Sequence, residues 1–260
     1  MQFSDQFSDS RGDFTSARRL RADQARQVAD VLRHQILAGT YTETLPAEQQ
    51  LADEFTVSRN TVREALSLLR TDGLIDRAPK VGTRPTTRKF DHSLEALLGL
   101  QETLKEHGTV RNEVRTATLI SAPTAVARRL GLDPGARVVY IERLRFLADL
   151  PLSLDLTYLT PEIGAEVLRH DLETNDIFVL LEQISGQSLG RADLALEAVA
   201  ADPHTATTLD SPVGAPLLML ERLSHLEDET PVDLEYIRMR GDRITMRGSL
   251  TRATPEWKVL

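Results

Sequence analysis

Two arginines, Arg143 and Arg145, stand two positions apart in the segment "RVVYIERLRFLA" (residues 137–148). If this alternating segment is a β-strand, both guanidinium groups lie on one face, about 7 Å apart at Cα. Such a pair can bind an anion through two sets of parallel hydrogen bonds. Alternatively, both arginines are solvated or paired with carboxylates of neighbouring strands, for which the sequence offers Asp155, Asp193, Glu197 and Asp233. The spacing alone leaves both interpretations open.

A second group with chemical potential lies in "SRNTVREALSLL", residues 58–69. At 100° per residue its apolar side chains form one stripe, and Asn60, Arg63 and Ser67 centre on the opposite side with Arg59 at the border. In the major groove of DNA, arginine can donate two hydrogen bonds to guanine and asparagine can pair with adenine. A solvated amphipathic helix would explain the stripe equally well if the helix stood alone.

The elements around this helix favour the DNA-binding interpretation. Apolar residues at helical spacing predict a first helix from Asp23 to about Gly39 and a second, short helix after Pro46. Ser58 is a suitable N-cap for the third helix, and Ser58 and Thr61 at its start suit phosphate contacts. The segments 74–77 and 82–84 can form the two strands of a wing. The sequence therefore predicts a winged helix-turn-helix.

The charge is unevenly divided along the 260 residues. The chain has a formal net charge of -8, but residues 1–89 carry 14 basic and 12 acidic side chains, whereas residues 90–260 carry 17 and 27. A near-neutral N-terminal part can bind phosphates if its arginines share one face, while the acidic remainder is a poor DNA surface. Non-specific DNA packaging conflicts with this balance.

Several other classes find no support in the sequence. The chain has no cysteine, its six histidines lack metal-ligand spacing, and no nucleotide-binding loop or hydrolase elbow occurs. We therefore expect no cofactor, no metal and no catalytic residue. With no apolar run of about 18 residues and no export signal, we expect no membrane span and a cytoplasmic location, nucleoid-associated when bound to DNA.

The remainder of the chain mixes strand and helix patterns. The segment "RPTTRKFDHS" (residues 84–93) has no periodicity and predicts the domain boundary, followed by a helix from about Leu94 to His107. Six alternating segments between residues 114 and 240 predict strands, and "PTAVARRLGL" and "IFVLLEQI" predict helices. We expect an α+β domain with a mostly antiparallel sheet. The predicted divisions are a flexible arm 1–22, DNA-binding domain 23–84, linker 85–92, a second domain 93–250, and tail 251–260.

The stretch "LPAEQQLADEFTVSRNTVREALSLLRTDGLIDR" (residues 45–77) resembles the winged helix-turn-helix of the GntR family of bacterial transcription regulators. The resemblance implies DNA contacts at Gln49, Ser58, Arg59, Thr61 and Arg63, beside Asn60. The family's wing tip is Gly-x-Gly-Thr, and this chain has Lys80 in place of the first glycine. Lys80 then adds a phosphate contact, while the second glycine is kept as Gly82.

The segments "VVYIERLRFLADLPLSLDLTYL" and "TPVDLEYIRMRGDR" resemble the UTRA effector-binding domain of the HutC subfamily, whose fold is similar to chorismate lyase. The resemblance implies a homodimer through this domain and a phosphate grip by Arg143 and Arg145, assisted by backbone amides at the start of the domain's first helix, near His92, Ser93 and Leu94. It places the family's acidic residues at Asp155 and Asp233, both often glutamate in relatives. Met239 replaces a common tyrosine.

These observations predict a transcriptional regulator, most simply a repressor, that binds a palindromic site on double-stranded DNA as a homodimer. A small anionic effector, either a phosphorylated sugar or a carboxylate, would change its affinity for the operator. Two alternatives stay open: a lyase-like enzyme acting on a small carboxylate, and an effector-dependent activator. Fold alone is weak evidence for chemistry, and a fused DNA-binding head argues for sensing.

Overall fold

The computed structural model describes residues 10–78, 81–86 and 89–251, and the chain divides into two compact units between Lys89 and Phe90. Each unit has its own apolar core. Within the part of the chain that is described, every helix is too short or too polar to span a bilayer.

The first unit contains three helices and a two-stranded ribbon: α1 (Ser10–Leu37), α2 (Glu48–Glu54), α3 (Arg59–Thr71), β1 (Ile75–Ala78) and β2 (Gly82–Pro85). The strands β1 and β2 pair antiparallel. Val28, Leu32 and Ile36 of α1 pack with Leu51 of α2 and Val62 of α3 in one buried cluster. The apolar stripes predicted from the sequence therefore face one another and form the core of a winged helix-turn-helix.

The helix α1 begins at Ser10, thirteen residues before the predicted start at Asp23. The apolar periodicity used for the prediction begins only where the helix has a core to face, from Ala25 and Val28 onward. The segment 10–22 shows no such apolar periodicity in the sequence, so the prediction did not include it in the helix. Residues 1–9 of the predicted arm lie outside the described residues.

The second unit is an α+β domain around a six-stranded sheet, with a separate two-stranded pair. The strands of the large sheet are β4 (Val110–Ser121), β5 (Arg137–Leu147), β6 (Leu150–Leu159), β7 (Leu189–Ala200), β8 (Pro216–Leu226) and β9 (Pro231–Arg240). The separate pair is formed by β3 (Phe90–Ser93) and β10 (Ile244–Arg247). The helices of the second unit are α4 (Leu100–Leu104, continued by a 3-10 turn over Lys105–His107), α5 (Thr124–Arg129), α6 (Pro161–Val167), α7 (Ile177–Ser185) and α8 (Pro203–Thr208). The predicted strands and helices of this domain are thus present.

The large sheet has the order β4-β5-β6-β9-β8-β7, with all neighbours antiparallel. The sheet contains an internal repeat. The units β4-α5-β5-β6 and β7-α8-β8-β9 have the same order of elements, and they meet at the β6–β9 pair. The repeat is also visible in the sequence as Glu-Arg-Leu at residues 142–144 of β5 and 221–223 of β8. Arg143 and Arg222 therefore occupy equivalent places in the two halves.

Helices cover both faces of the sheet. On one face, α6 and α7 pack on Val139 and Ile141, and α4 packs on Leu220 and Ile237. On the other face, α5 and α8 pack on side chains of the opposite parity, among them Leu144 and Leu234. Because strand residues alternate between faces, the first face also receives Arg143 and Arg145.

Two predictions near the domain boundary were wrong. Part of the predicted linker is strand β3, which pairs in parallel with β10 through Phe90 and Ile244. A pairing across more than 150 residues has no local signal in the sequence. The first helix of the domain begins at Leu100, with Gly99 as its N-cap, and so it starts six residues later than predicted.

Candidate functional site

The start of helix α3 is held by a side-chain cap. The Ser58 hydroxyl oxygen accepts a hydrogen bond from the Thr61 backbone N–H at 3.1 Å, and the two hydroxyl oxygens lie 2.8 Å apart. Thr61 is only 2% exposed, because its side chain turns toward the core and the cap. The structure therefore places Thr61 in the capping arrangement and away from the exposed face where its predicted DNA contact would be.

The other side of α3 is open. Arg59, Asn60 and Arg63 are all exposed, and Arg63 Nε lies 3.1 Å from Glu48 Oε2. Gln49 on α2 is also exposed, and its amide donates to Asp53 Oδ1 at 2.8 Å. The predicted base-reading side chains are thus brought together on the surface formed by α2 and α3.

This surface continues as a concavity of about 640 Å³ between α2, α3 and the wing. Besides Gln49, Arg59 and Arg63, it is lined by Arg70 and Arg77, which the sequence analysis did not select. Arg70 stands seven residues, or two turns, after Arg63, a spacing that could have identified it. Gly82 begins β2 with φ +114° and is exposed. Lys80 lies outside the described residues.

In the second unit, a polar cluster occupies the sheet face that α4, α6 and α7 cover. Cross-strand pairs place Arg143 beside Asp155, Ser224 beside Asp233, and Arg222 beside Glu235. All of these side chains are buried. Buried charged groups are costly to retain unless they are paired or serve a function, so this face is the candidate effector site.

Arg145 has a carboxylate partner within the sheet. Its Nε and Nη2 donate to Asp155 Oδ2 at 3.1 and 2.6 Å, and Ser153 donates to the other carboxylate oxygen at 2.7 Å. Of the two interpretations that the spacing left open, ion pairing on a neighbouring strand holds for Arg145. Arg143 differs, because Nη1 reaches only the carbonyl oxygens of Leu172 and Asn175, each at 3.4 Å.

Arg222 and Glu235 form a second buried pair, which sequence reasoning missed. Arg222 Nε and Nη2 lie 2.7 and 2.5 Å from Glu235 Oε2, and Nη1 donates to the Leu98 carbonyl at 3.1 Å. The guanidinium group also stacks on Phe178, 4.3 Å from the ring centre. The repeated Glu-Arg-Leu was the available signal, since it makes Arg222 the equivalent of Arg143.

His92, Ser93 and Leu94 do not lie at the start of a helix. His92 and Ser93 belong to β3, and the Leu94 N–H donates to the Arg247 carbonyl at 2.6 Å. The predicted cradle of helix N-terminal amides at these residues is therefore wrong, because the chain first pairs with β10 and enters α4 only at Leu100.

His92 is nonetheless part of the polar environment. It is 3% exposed, and its Nδ1 lies 2.9 Å from the Thr103 hydroxyl oxygen. Burial, reinforced by the positive charges of Arg222 and Arg145, lowers the pKa of His92 to about 4. The imidazole is therefore neutral near pH 7.

Asp233 is fully buried, and its pKa is shifted upward, whereas that of His92 is shifted downward. Burial and the nearby Glu235 carboxylate raise its pKa well above the ordinary value, although Arg222 and Arg143 act against the rise. Met239, the other predicted site residue on β9, is also fully buried, but it packs among apolar side chains such as Leu152 and Leu220. The structure thus puts Asp233 in the polar cluster and Met239 in the adjoining core.

The face holds an unusual number of unsatisfied polar atoms. Within the described part of the chain, buried atoms without a hydrogen-bond partner on this face are Arg143 Nε, Arg145 Nη1, Thr157 Oγ1, Ser224 Oγ and both carboxylate oxygens of Asp233. Native proteins satisfy most buried polar groups, and exceptions often mark functional sites. Their concentration on one sheet face is typical of a binding site for a polar molecule.

A cleft of about 200 Å³ opens at the edge of this face. It is lined by residues 92–98, by Ala192 and Leu194 of β7, and by Leu220 and Arg222 of β8. The segment 92–98, which contains the predicted His92, Ser93 and Leu94, therefore borders the cleft although it is not helical. Sites for drug-sized ligands are roughly 300–1,000 Å³, so this cleft suits a smaller molecule.

Comparisons with known proteins agree with both units. Residues 24–84 match the model of bacterial regulatory proteins of the gntR family, and residues 105–245 match the UTRA domain. The HTH-type transcriptional repressor NagR of Bacillus subtilis is 29% identical, over 84% of this chain and 91% of its own length. The histidine utilization repressor of Pseudomonas putida is 25% identical over 80% of this chain and 83% of its own.

Among solved structures, the crystal structure of PhnF from Mycobacterium smegmatis aligns with a TM-score of 0.64 at 24% identity, covering 87% of this chain and all of that one. This likeness supports the fold. The relatives are transcriptional regulators and not enzymes, which confirms that the function is regulatory. The chain therefore belongs to the GntR family of bacterial regulatory proteins, in the HutC-like group that joins a winged helix-turn-helix to a UTRA domain.

Proposed function

We propose that this regulator binds a palindromic operator on double-stranded DNA as a homodimeric repressor in the cytoplasm, and that a small effector with an anionic group changes its operator affinity. The observation that carries the DNA-binding part is the exposed side of α3, where Arg59, Asn60 and Arg63 are free of the core while the opposite stripe is buried.

Each exposed group has a role in this proposal. Arg59 and Asn60 at the start of α3 read base edges in the major groove. Arg63 also reads a base, once its ion pair with Glu48 is broken. Ser58, Gln49, Lys80 and the wing at Gly82 contact the phosphate backbone. Arg70 and Arg77 line the same concavity and add positive charge for phosphates.

The dimer is proposed to form through the second unit. One recognition helix covers only a few base pairs, so specific binding requires two copies on two half-sites. Strand β7 lies at an edge of the large sheet, and Leu194 and Leu196 on it are 45% and 41% exposed. Exposed apolar side chains on an edge strand favour association with another chain.

The effector is proposed to bind on the buried polar face, with its anionic group on Arg143 and Arg145 and further contacts to Asp155 and Asp233. Residues 92–94 border the cleft at the edge of this face, and Met239 belongs to the adjoining apolar core. Binding would shift the population between arrangements of the two heads through residues 86–89, which join β2 to β3, and so lower operator affinity. An activator would instead gain affinity when the effector binds.

The DNA-binding part is tested by selecting operators from a random duplex pool with the full-length chain and measuring their affinity at several salt concentrations. We expect specific binding that weakens steeply with salt. Arg59→Ala should cost about 1–3 kcal/mol and relax the preference at one base position. Arg169→Ala is the matched control, since Arg169 is an exposed arginine on the second unit. Equal behaviour of the two variants would refute the assignment of α3.

A further inference from the structure

Two of the three arginines on the buried polar face are already paired with carboxylates. Arg145 is neutralised by Asp155, and Arg222 is neutralised by Glu235, each through two N–H donors to one carboxylate oxygen. Such buried pairs leave little net charge to attract a ligand.

Arg143 is the guanidinium group left without such compensation. It is 2% exposed, makes only two long contacts to carbonyl oxygens, and has no carboxylate within ion-pair distance among the described residues. Its Nε has no acceptor in that same set. The buried guanidinium group of Arg143 is therefore available to bind one anionic group.

Asp233 is the complementary case. It is fully buried on the same face, and neither carboxylate oxygen has a partner within the described ranges. Its cross-strand neighbour Ser224 also has an unpaired hydroxyl, as does Thr157 on β6. A hydrogen-bond donor, and best of all a cationic donor, would satisfy this carboxyl group.

A further carboxylate argues against a doubly charged ligand. Asp176 caps α7 by accepting the Phe178 N–H at 2.9 Å, and it lies so close to Gly99 that a Cβ there would be 2.6 Å from Oδ2. Its negative charge acts on Arg143, Arg222 and Asp233. Three arginines thus face four carboxyl groups, and a phosphate dianion would bring two negative charges to one uncompensated guanidinium.

Resting on the proposed function, which places the effector on this face, we propose that the effector is a small zwitterion with a carboxylate that binds Arg143 and an ammonium group that binds Asp233. The class is that of free amino acids and their close analogues. The hydroxyl groups of Thr157 and Ser224 hydrogen-bond to the same ligand. The cleft of about 200 Å³ at the edge of the same face is lined by Arg222, and not by Arg143 or Asp233.

The pairing has a proton signature. Burial and the Glu235 carboxylate raise the pKa of Asp233 in the ligand-free protein, and an arriving ammonium group favours the ionised form and so lowers that pKa. Binding of the zwitterion at a pH between these two pKa values therefore releases a proton to the buffer. Titration calorimetry of the unaltered chain in two buffers of different ionisation enthalpy measures this release directly.

The experiment screens the full chain by thermal shift against α-, β- and γ-amino acids and against sugar phosphates, because a ligand of the native state raises the melting temperature. We expect at least one amino acid to stabilise the protein, and its deaminated acid and decarboxylated amine to have no effect. In Arg143→Gln and Asp233→Asn its affinity should fall at least tenfold. Asp149→Asn, in an exposed turn, is the matched control and should bind normally.

The proposal is overturned if no amino acid stabilises the chain, if a sugar phosphate stabilises it more, or if both variants bind the hit normally. Should the variants fail to fold, the unaltered chain decides: a deaminated acid or a decarboxylated amine that binds as tightly as the amino acid itself contradicts the paired contacts to Arg143 and Asp233. Operator affinity of the same preparations separates the two proposals. If the chain binds an operator and only a sugar phosphate releases it, the proposed regulatory function stands and the zwitterion proposal is refuted. If the chain binds a zwitterion but no operator, the zwitterion proposal stands and the proposed regulatory function is refuted.

Discussion

Among individual residues, His92 shows how burial in a positive environment sets a protonation state. Its pKa of about 4 in the folded chain lies below the ordinary value of 6.5. The unfolded chain therefore takes up a proton below pH 6.5 that the folded chain takes up only near pH 4. Stability associated with neutral His92 is complete above pH 6.5 and is lost as the pH falls toward 4.

We expect His92→Asn to remove this dependence while retaining a polar contact to Thr103. The advantage in unfolding free energy of the unaltered chain over the variant should shrink by about 3 kcal/mol between pH 7 and pH 4, since each pKa unit corresponds to about 1.4 kcal/mol. Urea unfolding of both proteins across this range measures it. Parallel stability curves would show that His92 does not titrate as inferred.

The contribution of Asp233 to the pH dependence of stability has the opposite sign. Its folded pKa is raised, so the folded chain holds a proton that the unfolded chain has already lost, and stability falls as the pH rises from about 4 to the folded pKa. We expect Asp233→Asn to stabilise the ligand-free protein, with an advantage that grows by up to about 1.4 kcal/mol per pH unit across that window and then stays constant. The exposed Asp149→Asn serves as control. An Asp233→Asn variant that is less stable than the parent at pH 8 would contradict a ligand-directed carboxyl group.

At the level of single elements, the start of α3 joins stability to recognition. The Ser58 cap fixes the first turn, from which Arg59 and Asn60 project. A change at the cap therefore affects both the folding of the head and the placement of the side chains proposed to read bases.

Ser58→Ala should destabilise the first unit by about 1 kcal/mol, the usual effect of removing an N-cap, and should weaken operator binding. Ser67→Ala, on the exposed side of the same helix, removes a hydroxyl without a capping role and should change stability by less than about 0.5 kcal/mol. Thermal and urea unfolding distinguish the two. Equal effects of both substitutions would remove the special role of the cap.

For the whole molecule, the proposed dimer needs a contact through which two copies present two recognition helices. The edge position of β7 and its exposed leucines make this strand the expected contact between copies. A charge placed there should oppose association by burying an unpaired carboxylate at the interface.

We expect Leu196→Glu to convert a dimer into a monomer at micromolar concentration and to lower operator affinity at least tenfold. Val213→Glu is the control, because Val213 is 67% exposed and lies in a loop. Light scattering coupled to size exclusion gives the mass of each variant. A Leu196→Glu chain that remains dimeric would place the interface elsewhere.

Local patterns in the sequence were sufficient for the winged head, for the six long strands of the second domain and for the shared face of Arg143 and Arg145. Helix and strand periodicity, caps and turns act over a few residues, so they can be read without the fold. The partners of those arginines depended on tertiary structure, because Asp155, Arg222, Glu235 and Asp176 reach the site from separate elements. The same holds for β3, whose partner β10 lies more than 150 residues away. Only the packed sheet determined that Arg145 is paired with a carboxylate while Arg143 and Asp233 lack such a partner among the described residues, since ion pairing depends on distances in space.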